Sequence, residues 1–392
     1  MSELGLTSIN GISCLGKHIG LKKKKKDFTI IFSAKPLTAV AVFTTNAFKA
    51  APILVSKKHL KKSKNCVKAI VANSGNANAC TGLQGILDAE ETCAIFANEL
   101  KIKKEEVLVF STGVIGTALP MDKIKQGLKK IKSQLGTTYV HEFNAAQAIL
   151  TTDNKPKQVT VQQNGIKIAC IAKGSGMINP NMATMLCFIA TNAKLSVAEL
   201  QKSLNLAANQ SFNQLSVDGC QSTNDSVVLL STQEKQIELE NFQKLLTELC
   251  VKVSTKIAED AEGAGKLMEV KVKNAKTQKQ AALLAKAVVS SDLVKTAITG
   301  KTGLVGRILA ALGSTFIKVN PAKVKLLING QKIFSHNQFL KVDYFLFHKN
   351  MHKKCIQIEI NLNQGKKESV ALGCNLTKKY VEINTFYAPG VL

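Results

Sequence analysis

The sequence contains no tryptophan, and aromatic residues make up only 5% of its 392 residues. Arg307 is the only arginine among 53 basic residues, so the formal net charge of +26 at pH 7 comes almost entirely from lysine. Proteins that read nucleic-acid bases depend on arginine forks and on aromatic stacking. We therefore interpret the lysines as solvated surface charge. We expect no specific nucleic acid as a partner, while weak, salt-sensitive adhesion to polyanions fits the charge.

The sequence also lacks the features of membrane, secreted and metal-binding proteins. No stretch approaches the roughly 18 uninterrupted apolar residues of a membrane-spanning helix, and the first residues lack the layout of a secretory signal. The ten cysteines form no C-x-x-C pair and no cluster with histidine at metal-ligand spacing. We expect a cytoplasmic protein without metal or membrane contact, in which Cys93, Cys187 and Cys250 pack as small apolar residues.

Short β-branched runs alternate with amphipathic stretches, which is typical of a mixed α/β chain. The pattern predicts strands at 28–33, 40–43, 68–72 and 107–111, and helices at 85–101, 122–134, 197–215 and 239–260.

The last third of the chain is predicted to form a β-rich C-terminal subdomain at about 275–392. Asn329-Gly330 between 324–328 and 332–334 is a strong hairpin signal. A second hairpin is predicted around 363–365, joining 355–362 to 368–374, and a helical stretch at 276–298 precedes both.

The segment KGSGMINPNMATML at 173–186 places Thr184 behind the small residue Ala183, after a loop rich in glycine, proline and asparagine. Gly176 and Pro180 permit or impose unusual backbone states, which a hydroxyl needs in order to attack the carbonyl of its own peptide bond. Scission there would leave Thr184 with a free amine that can take its hydroxyl proton. Taken alone, the segment fits an ordinary loop that leads into a buried apolar run better than it fits a cleavage site.

Further motifs along the chain resemble the glutamate N-acetyltransferase (ornithine acetyltransferase) family of arginine biosynthesis. They include VANSGNANACTG at 71–82 and STGVIG at 111–116, and they occur in the family's order. The other matching segments are 42–52, 151–153, 173–186, 217–219, 222–225, 262–264 and 380–384.

This resemblance implies a self-cleaving enzyme whose scission between Ala183 and Thr184 gives an alpha chain, 1–183, and a beta chain, 184–392. Thr184 would be the nucleophile, and its new amine would be the base. The Thr112 hydroxyl and the Gly113 N–H would form the oxyanion hole. The implied fold is a layered αββα-type sandwich around the cleavage site.

The resemblance also implies the substrate contacts. Lys173 would face a substrate carboxylate, Glu262 a charged amine, and Asn384 would close the site. Thr152 would hydrogen-bond the ligand, with Thr151 as the alternative for the same contact.

The implied reaction is ping-pong transfer of acetyl from N-acetylornithine to glutamate, without metal or bound cofactor. Some family members also use acetyl-CoA as donor, and no residue here decides that point. Two alpha and two beta chains are expected to associate.

Three positions depart from the family's pattern. The block usually reading G-x-D-P-N-W-G-R is GKTGLVGR at 300–307, Pro389 stands where a hydroxyl residue is usual, and Gly265 replaces a usual threonine. The cleavage and oxyanion segments are unchanged, so we expect scission to be retained while substrate affinity or donor choice is altered.

Two other functions remain open from the sequence. An amidase or aminopeptidase could use the same N-terminal nucleophile with water as acceptor, and acetate release independent of glutamate would identify it. A non-enzymatic basic binder would instead show site-specific affinity for DNA or RNA at moderate ionic strength.

Overall fold

The computed structural model describes residues 5–179, 185–302 and 304–385. The helices are α1 (Ala51–Lys62), α2 (Gly82–Leu100), α3 (Met121–Gly127), α4 (Tyr139–Ala148), α5 (Val197–Gln210), α6 (Leu239–Glu259), α7 (Gln278–Ser290), α8 (Asp292–Gly300), α9 (Leu304–Gly313), α10 (Tyr344–Met351) and α11 (Lys378–Thr385). The strands are β1 (Ser13–Lys17), β2 (Phe28–Phe43), β3 (Cys66–Asn76), β4 (Val107–Val114), β5 (Lys157–Gln163), β6 (Ile166–Lys173), β7 (Leu186–Lys194), β8 (Leu215–Ser216), β9 (Ser226–Gln236), β10 (Leu267–Ala275), β11 (Lys325–Ile328), β12 (Gln331–Ser335), β13 (Gln338–Phe339), β14 (Cys355–Asn361) and β15 (Lys367–Cys374).

Two compact units, each with one sheet, make up the described chain, and this confirms the predicted mixed α/β class. Among the described residues, the first unit comprises 5–174, 185–209 and 221–253, and the second comprises 175–179, 210–220, 254–302 and 304–385. The predicted boundary at the cleavage site and the predicted start of a subdomain near 275 stay predictions. None of the described helices is long and apolar enough to cross a bilayer.

The sheet of the first unit has the strand order β4-β3-β2-β9-β7-β6-β5, with β1 paired to β2. Neighbouring residues of β3 point to opposite faces, as the pleat requires. Val71 belongs to a core shared with α2, and Ile70 to a core shared with α4. The predicted strands 28–33 and 40–43 are parts of the single strand β2, because a register shift between Phe32 and Leu37 absorbs the interruption at Pro36.

The sheet of the second unit has the order β13-β12-β11-β14-β10-β15-β8 and packs against α7. The predicted hairpin of β11 and β12 is confirmed, with Asn329 and Gly330 both at positive φ. The second predicted hairpin is wrong, because β10 lies between β14 and β15 and pairs with both. The connection instead crosses the end of β10, where the N–H of Gln364 donates to the carbonyl of Asn274 (2.8 Å).

Two predicted helices are interrupted, and one ends early. The stretch 122–134 is α3 followed by a short 3-10 turn, with Lys130 in the left-handed region between them. The stretch 276–298 is divided at Ser291, whose side chain caps α8. The stretch 197–215 is helical only to Gln210, whereas the helix predicted at 239–260 is confirmed in α6.

Candidate functional site

The end of β4 presents Thr112 and Gly113 from a strand end that side-chain hydrogen bonds hold in place. The hydroxyl of Ser111 donates to Oδ1 of Asn73 (2.6 Å), and Nδ2 of Asn73 donates to the carbonyl of Asn76 (2.8 Å). Nδ2 of Asn76 in turn donates to the carbonyls of Thr117 (3.1 Å) and Ala118 (3.0 Å). The VANSGNANACTG motif therefore supports the strand end that the sequence assigned to the oxyanion hole.

Gly113 occupies a position that requires glycine. Its φ is 137°, and a Cβ there would collide with the backbone of Gly75 and Asn76 on β3. Thr112 and Gly113 are both partly exposed, whereas Ser111 directly before them is buried. Both residues thus lie, partly exposed, at the end of β4, where the resemblance places the oxyanion hole.

The segment after α4 is organised by the buried carboxylate of Asp153. Its oxygens accept from the N–H of Thr151 (3.1 Å), the N–H of Gly174 (2.7 Å) and Nζ of Lys157 (2.6 Å). Thr152, between Thr151 and Asp153 in the chain, is half-buried. Sequence analysis did not assign a role to Asp153, although its motif was among the matching segments.

Lys173 lies at the end of β6, and it is buried, with its Nζ 3.9 Å from Oδ2 of Asp153. Burial alone would raise the pKa of Asp153. The charges of Lys173 and Lys157 and the N–H of Gly174 outweigh that effect and hold the pKa well below its usual range. The interpretation of the lysines as solvated surface charge is therefore wrong for Lys157 and Lys173.

Lys22, at the start of the lysine run 22–26, is a further exception. Its Nζ donates to the carbonyls of Leu150 (2.6 Å) and Lys26 (3.0 Å). Burial lowers its pKa to about 8, with Asp27 opposing the shift and Lys173 adding to it. The first unit thus collects several cations around the 151–153 segment.

Ala183 and Thr184 lie outside the described residues, but both sides of the cleavage segment can be described. Lys173 pairs with Leu186 in the β6–β7 ladder. The carbonyl of Met185 accepts from the N–H of Ser226 (2.8 Å). The residue that directly follows Thr184 is thus fixed to the central strands of the first sheet.

In the second unit, Glu262 is buried and its carboxylate meets Asn384. Nδ2 of Asn384 donates to Oε2 of Glu262 (2.8 Å), and the N–H of Glu262 donates to the carbonyl of Ser175 (2.8 Å). A Cβ at Gly176 would overlap the Glu262 carboxylate, so glycine is needed for this approach. The structure thus brings together the two residues that the resemblance assigned to the substrate amine and to closure of the site.

Asp218, also in the second unit, accepts several hydrogen bonds, and no role could be assigned to it from the sequence. Its carboxylate accepts from the N–H groups of Met177 (2.6 Å) and Ile178 (2.8 Å) and from the hydroxyl of Tyr380 (3.2 Å). Burial first, and then the Asp218 carboxylate, raise the pKa of Tyr380 well above its usual range. The only available signal was the matching segment 217–219.

Two of the three departures from the family's pattern fall on described residues, except that Gly303 of the altered block lies outside them. Nη1 of Arg307 donates to the carbonyl of Leu293 (2.9 Å), which ties the retained end of the altered block to α8. The N–H of Gly265 donates to Oδ1 of Asn375 (2.9 Å), and the position is exposed, so the residue type there is not dictated by packing. Pro389 lies outside the described residues.

A hydroxyl and an N–H presented at a strand end, with a buried lysine in the same unit, are groups that an acyl-transfer enzyme uses. The described chain is a mixed α/β protein, and its candidate site fits that class of enzyme. The sequence matches the ArgJ family over residues 13–389, and the chain belongs to that family. The family resemblance drawn from the motifs is confirmed, and with it the assignment to acetyl transfer in arginine biosynthesis.

Known relatives are similar over nearly the whole chain. The arginine biosynthesis bifunctional protein ArgJ of Thermotoga neapolitana is 42% identical over 393 residues, covering 96% of this chain and 98% of that protein. The protein of the same name from Shouchella clausii is 40% identical, covering 97% and 95%. The solved ornithine acetyltransferase of Mycobacterium tuberculosis, complexed with ornithine, is 37% identical, with a TM-score of 0.44, covering 46% of this chain and 96% of that one.

Proposed function

We propose that this chain transfers the acetyl group of N-acetylornithine to glutamate through an acetyl-enzyme on Thr184. The observation that carries the proposal is the partly exposed pair Thr112 and Gly113 at the end of β4, in a chain of the ArgJ family. A hydroxyl and an N–H at this place would supply the two donors of an oxyanion hole. The products are ornithine and N-acetylglutamate.

Scission comes first in this scheme. The Thr184 hydroxyl oxygen attacks the carbonyl carbon of Ala183, the peptide C–N bond breaks, and water hydrolyses the resulting ester. Thr184 then has a free amine, whose pKa near ~8 lets it act as a base at neutral pH.

Transfer then proceeds in two steps. The Thr184 hydroxyl attacks the acetyl carbonyl while the amine takes its proton, and Thr112 and Gly113 stabilise the oxyanion. The amide C–N bond breaks, the proton passes to the leaving ornithine amine, and the acetyl group remains as an ester. The glutamate amine attacks the ester carbonyl and loses its proton to the Thr184 amine. The ester C–O bond then breaks, the proton passes to the Thr184 oxygen, and N-acetylglutamate leaves.

Lys173 and Glu262 provide the charges that an amino-acid substrate needs. We assign the Lys173 ammonium to a substrate carboxylate, Glu262 with Asn384 to a substrate amine, and Thr152 to a hydrogen bond with the ligand. The scheme needs neither metal nor bound cofactor, and acetyl-CoA would be an alternative donor. We further propose a cytoplasmic assembly of two alpha and two beta chains.

The test is a denaturing gel combined with an ornithine-release assay. The purified chain should give two fragments, 1–183 and 184–392, and should release ornithine from N-acetylornithine when glutamate is present. Thr184→Ala should abolish both scission and transfer, while Thr184→Ser, which keeps a hydroxyl, should retain part of each. A persistent full-length chain that transfers acetyl would contradict the mechanism, and acetate release independent of glutamate would indicate a hydrolase.

A further inference from the structure

The backbone just before the undescribed residues 180–184 is bound to a loop that follows β8. Both oxygens of Asp218 take part, because Oδ2 accepts from the N–H of Met177 (2.6 Å) and Oδ1 from the N–H of Ile178 (2.8 Å). In the reverse direction, the carbonyl of Ile178 accepts from the N–H of Val217 (2.6 Å). All of these residues belong to the second unit.

The bonds to Asp218 hold a backbone conformation that the chain would otherwise avoid. Met177 has a φ of 54°, in the left-handed region that disfavours residues with a Cβ. Two consecutive N–H groups around such a residue converge and form a small concave site for an anion. The Asp218 carboxylate fills this site, so its charge compensates for the unfavourable conformation of Met177.

The same carboxylate connects this segment to the helix that carries Asn384. The hydroxyl of Tyr380 on α11 donates to Oδ2 of Asp218 (3.2 Å), and Asn384 on the same helix donates to Glu262. A neutral amide at position 218 could not serve all of these donors, because only one of its two terminal atoms accepts hydrogen bonds.

We infer that Asp218 is a positioning residue for the scission at Ala183–Thr184. This inference rests on the proposed function, of which the scission is a part. Its bonds to Met177 and Ile178 hold the backbone in one conformation six residues before the scissile bond. A nucleophile has to be held close to its target to react, and small displacements have large effects on rate. Asp218 itself takes no part in bond making.

The test follows scission of newly synthesised full-length chain on denaturing gels over time. Asp218→Asn should lengthen the half-time of scission by about tenfold or more, which corresponds to about 1.4 kcal/mol in the barrier. Asp343→Asn is the matched control, because Asp343 also accepts a backbone N–H, from Leu346 (3.0 Å), at an exposed helix start in the same unit. That variant should cleave at the wild-type rate.

Two substitutions at Met177 separate positioning from general stability. Met177→Pro keeps Asp218 but removes the N–H and forbids positive φ, so it should slow scission as Asp218→Asn does, while Met177→Ala should not. Met177→Gly in the Asp218→Asn background should recover part of the rate, because glycine adopts the left-handed conformation without steric cost.

The outcomes distinguish this inference from the proposed function. Wild-type rates in Asp218→Asn or in Met177→Pro would overturn the inference and leave the function intact. Slowing in Asp218→Asn that glycine does not relieve, together with a fall in Tm, would also overturn it, in favour of a general structural role. Failure of the wild-type chain to cleave would instead refute the proposed function.

Discussion

The two units handle buried charge in different ways. In the first unit, Asp153 lies 2.6 Å from Nζ of Lys157 and 3.9 Å from Nζ of Lys173, so opposite charges meet. In the second unit, the ammonium of Lys295 donates to the backbone carbonyls of Cys374 (2.8 Å) and Ser216 (3.3 Å). Lys286 likewise donates to the carbonyls of Asn213 and Leu215. The buried charge is thus compensated by opposite charge at Asp153, and by neutral carbonyl dipoles at Lys295 and Lys286.

The protonation states differ accordingly. The lysines keep Asp153 ionised far below neutral pH. Burial lowers the pKa of Lys295, and burial together with the like charge of Lys295 lowers that of Lys286 to about 7. Lys22 is the exception in the first unit, since its ammonium also donates to carbonyls and its pKa is about 8. Pairing with lysines thus keeps Asp153 ionised, whereas burial lowers the pKa of ammonium groups that donate to backbone carbonyls, as at Lys286 and Lys22.

The largest expected effect is that of removing the central charge of the first unit. Asp153→Asn would leave Lys157 buried without its carboxylate, and removing one partner of a buried ion pair costs about 3–5 kcal/mol. We expect the free energy of unfolding, measured with denaturant at pH 7, to fall by about that amount. Asp122→Asn makes the same charge change at an exposed position and should have little effect.

The pH dependence of the stability difference between wild type and Asp153→Asn provides a second check. A carboxyl group whose folded-state pKa is depressed contributes stability above its unfolded pKa, and that contribution is lost as the pH falls through the folded pKa. The stability difference between wild type and Asp153→Asn should therefore be constant from about pH 5 to 8 and shrink in stronger acid. A difference below 1 kcal/mol at pH 7 would show that the pairing matters little.

Local sequence patterns predicted the elements of the fold better than their pairing. The hairpin at Asn329-Gly330 was predictable because a two-residue turn needs positive φ, and asparagine and glycine adopt it readily. The insertion of β10 between β14 and β15 was not, because it depends on contacts between residues far apart in the chain. Similarly, only tertiary packing shows that β2 continues through Pro36.

Candidate site residues could be named from the sequence where they belong to a recognisable motif. They could not be named where only their burial or their distant contacts distinguish them. Gly113 was identified from STGVIG, and the structure adds the reason, a close approach to Gly75. The burial of Lys157 gave no signal, because one lysine among so many cannot be distinguished by composition. Asp218 was equally hidden, since its partners Met177 and Tyr380 are distant in sequence.

A smaller effect in free energy, confined to catalysis, is expected at the strand end of the first unit. Thr112→Ala removes one of the two proposed oxyanion donors, and loss of such a donor costs about 3 kcal/mol in the barrier. We expect kcat for acetyl transfer to fall by about two orders of magnitude with Tm unchanged, because Thr112 is partly exposed.

A loss of kcat without a loss of Tm would show that Thr112 acts on catalysis, whereas Asp153 in the same unit acts on stability. Thr117→Ala, at an exposed position of the same loop, is the control and should keep full activity. If Thr112→Ala retained wild-type kcat, the hydroxyl would have no role in stabilising the oxyanion.

The smallest effect is expected in the second unit, where titration of Lys286 should make stability depend on pH. Its pKa is lowered to about 7, against about 10.4 in an unfolded chain, so between these values the unfolded state binds more protons. Stability then rises with pH across that window, by at most about 1.4 kcal/mol per pH unit from this one group.

Lys286→Met should flatten the rise between pH 7 and 9, as measured by denaturant unfolding at each pH. Lys279→Met, on the exposed side of α7, should leave it unchanged. Equal slopes for wild type and Lys286→Met would mean that the carbonyls of Asn213 and Leu215 keep the buried ammonium charged, and the contrast between the two units would then not hold.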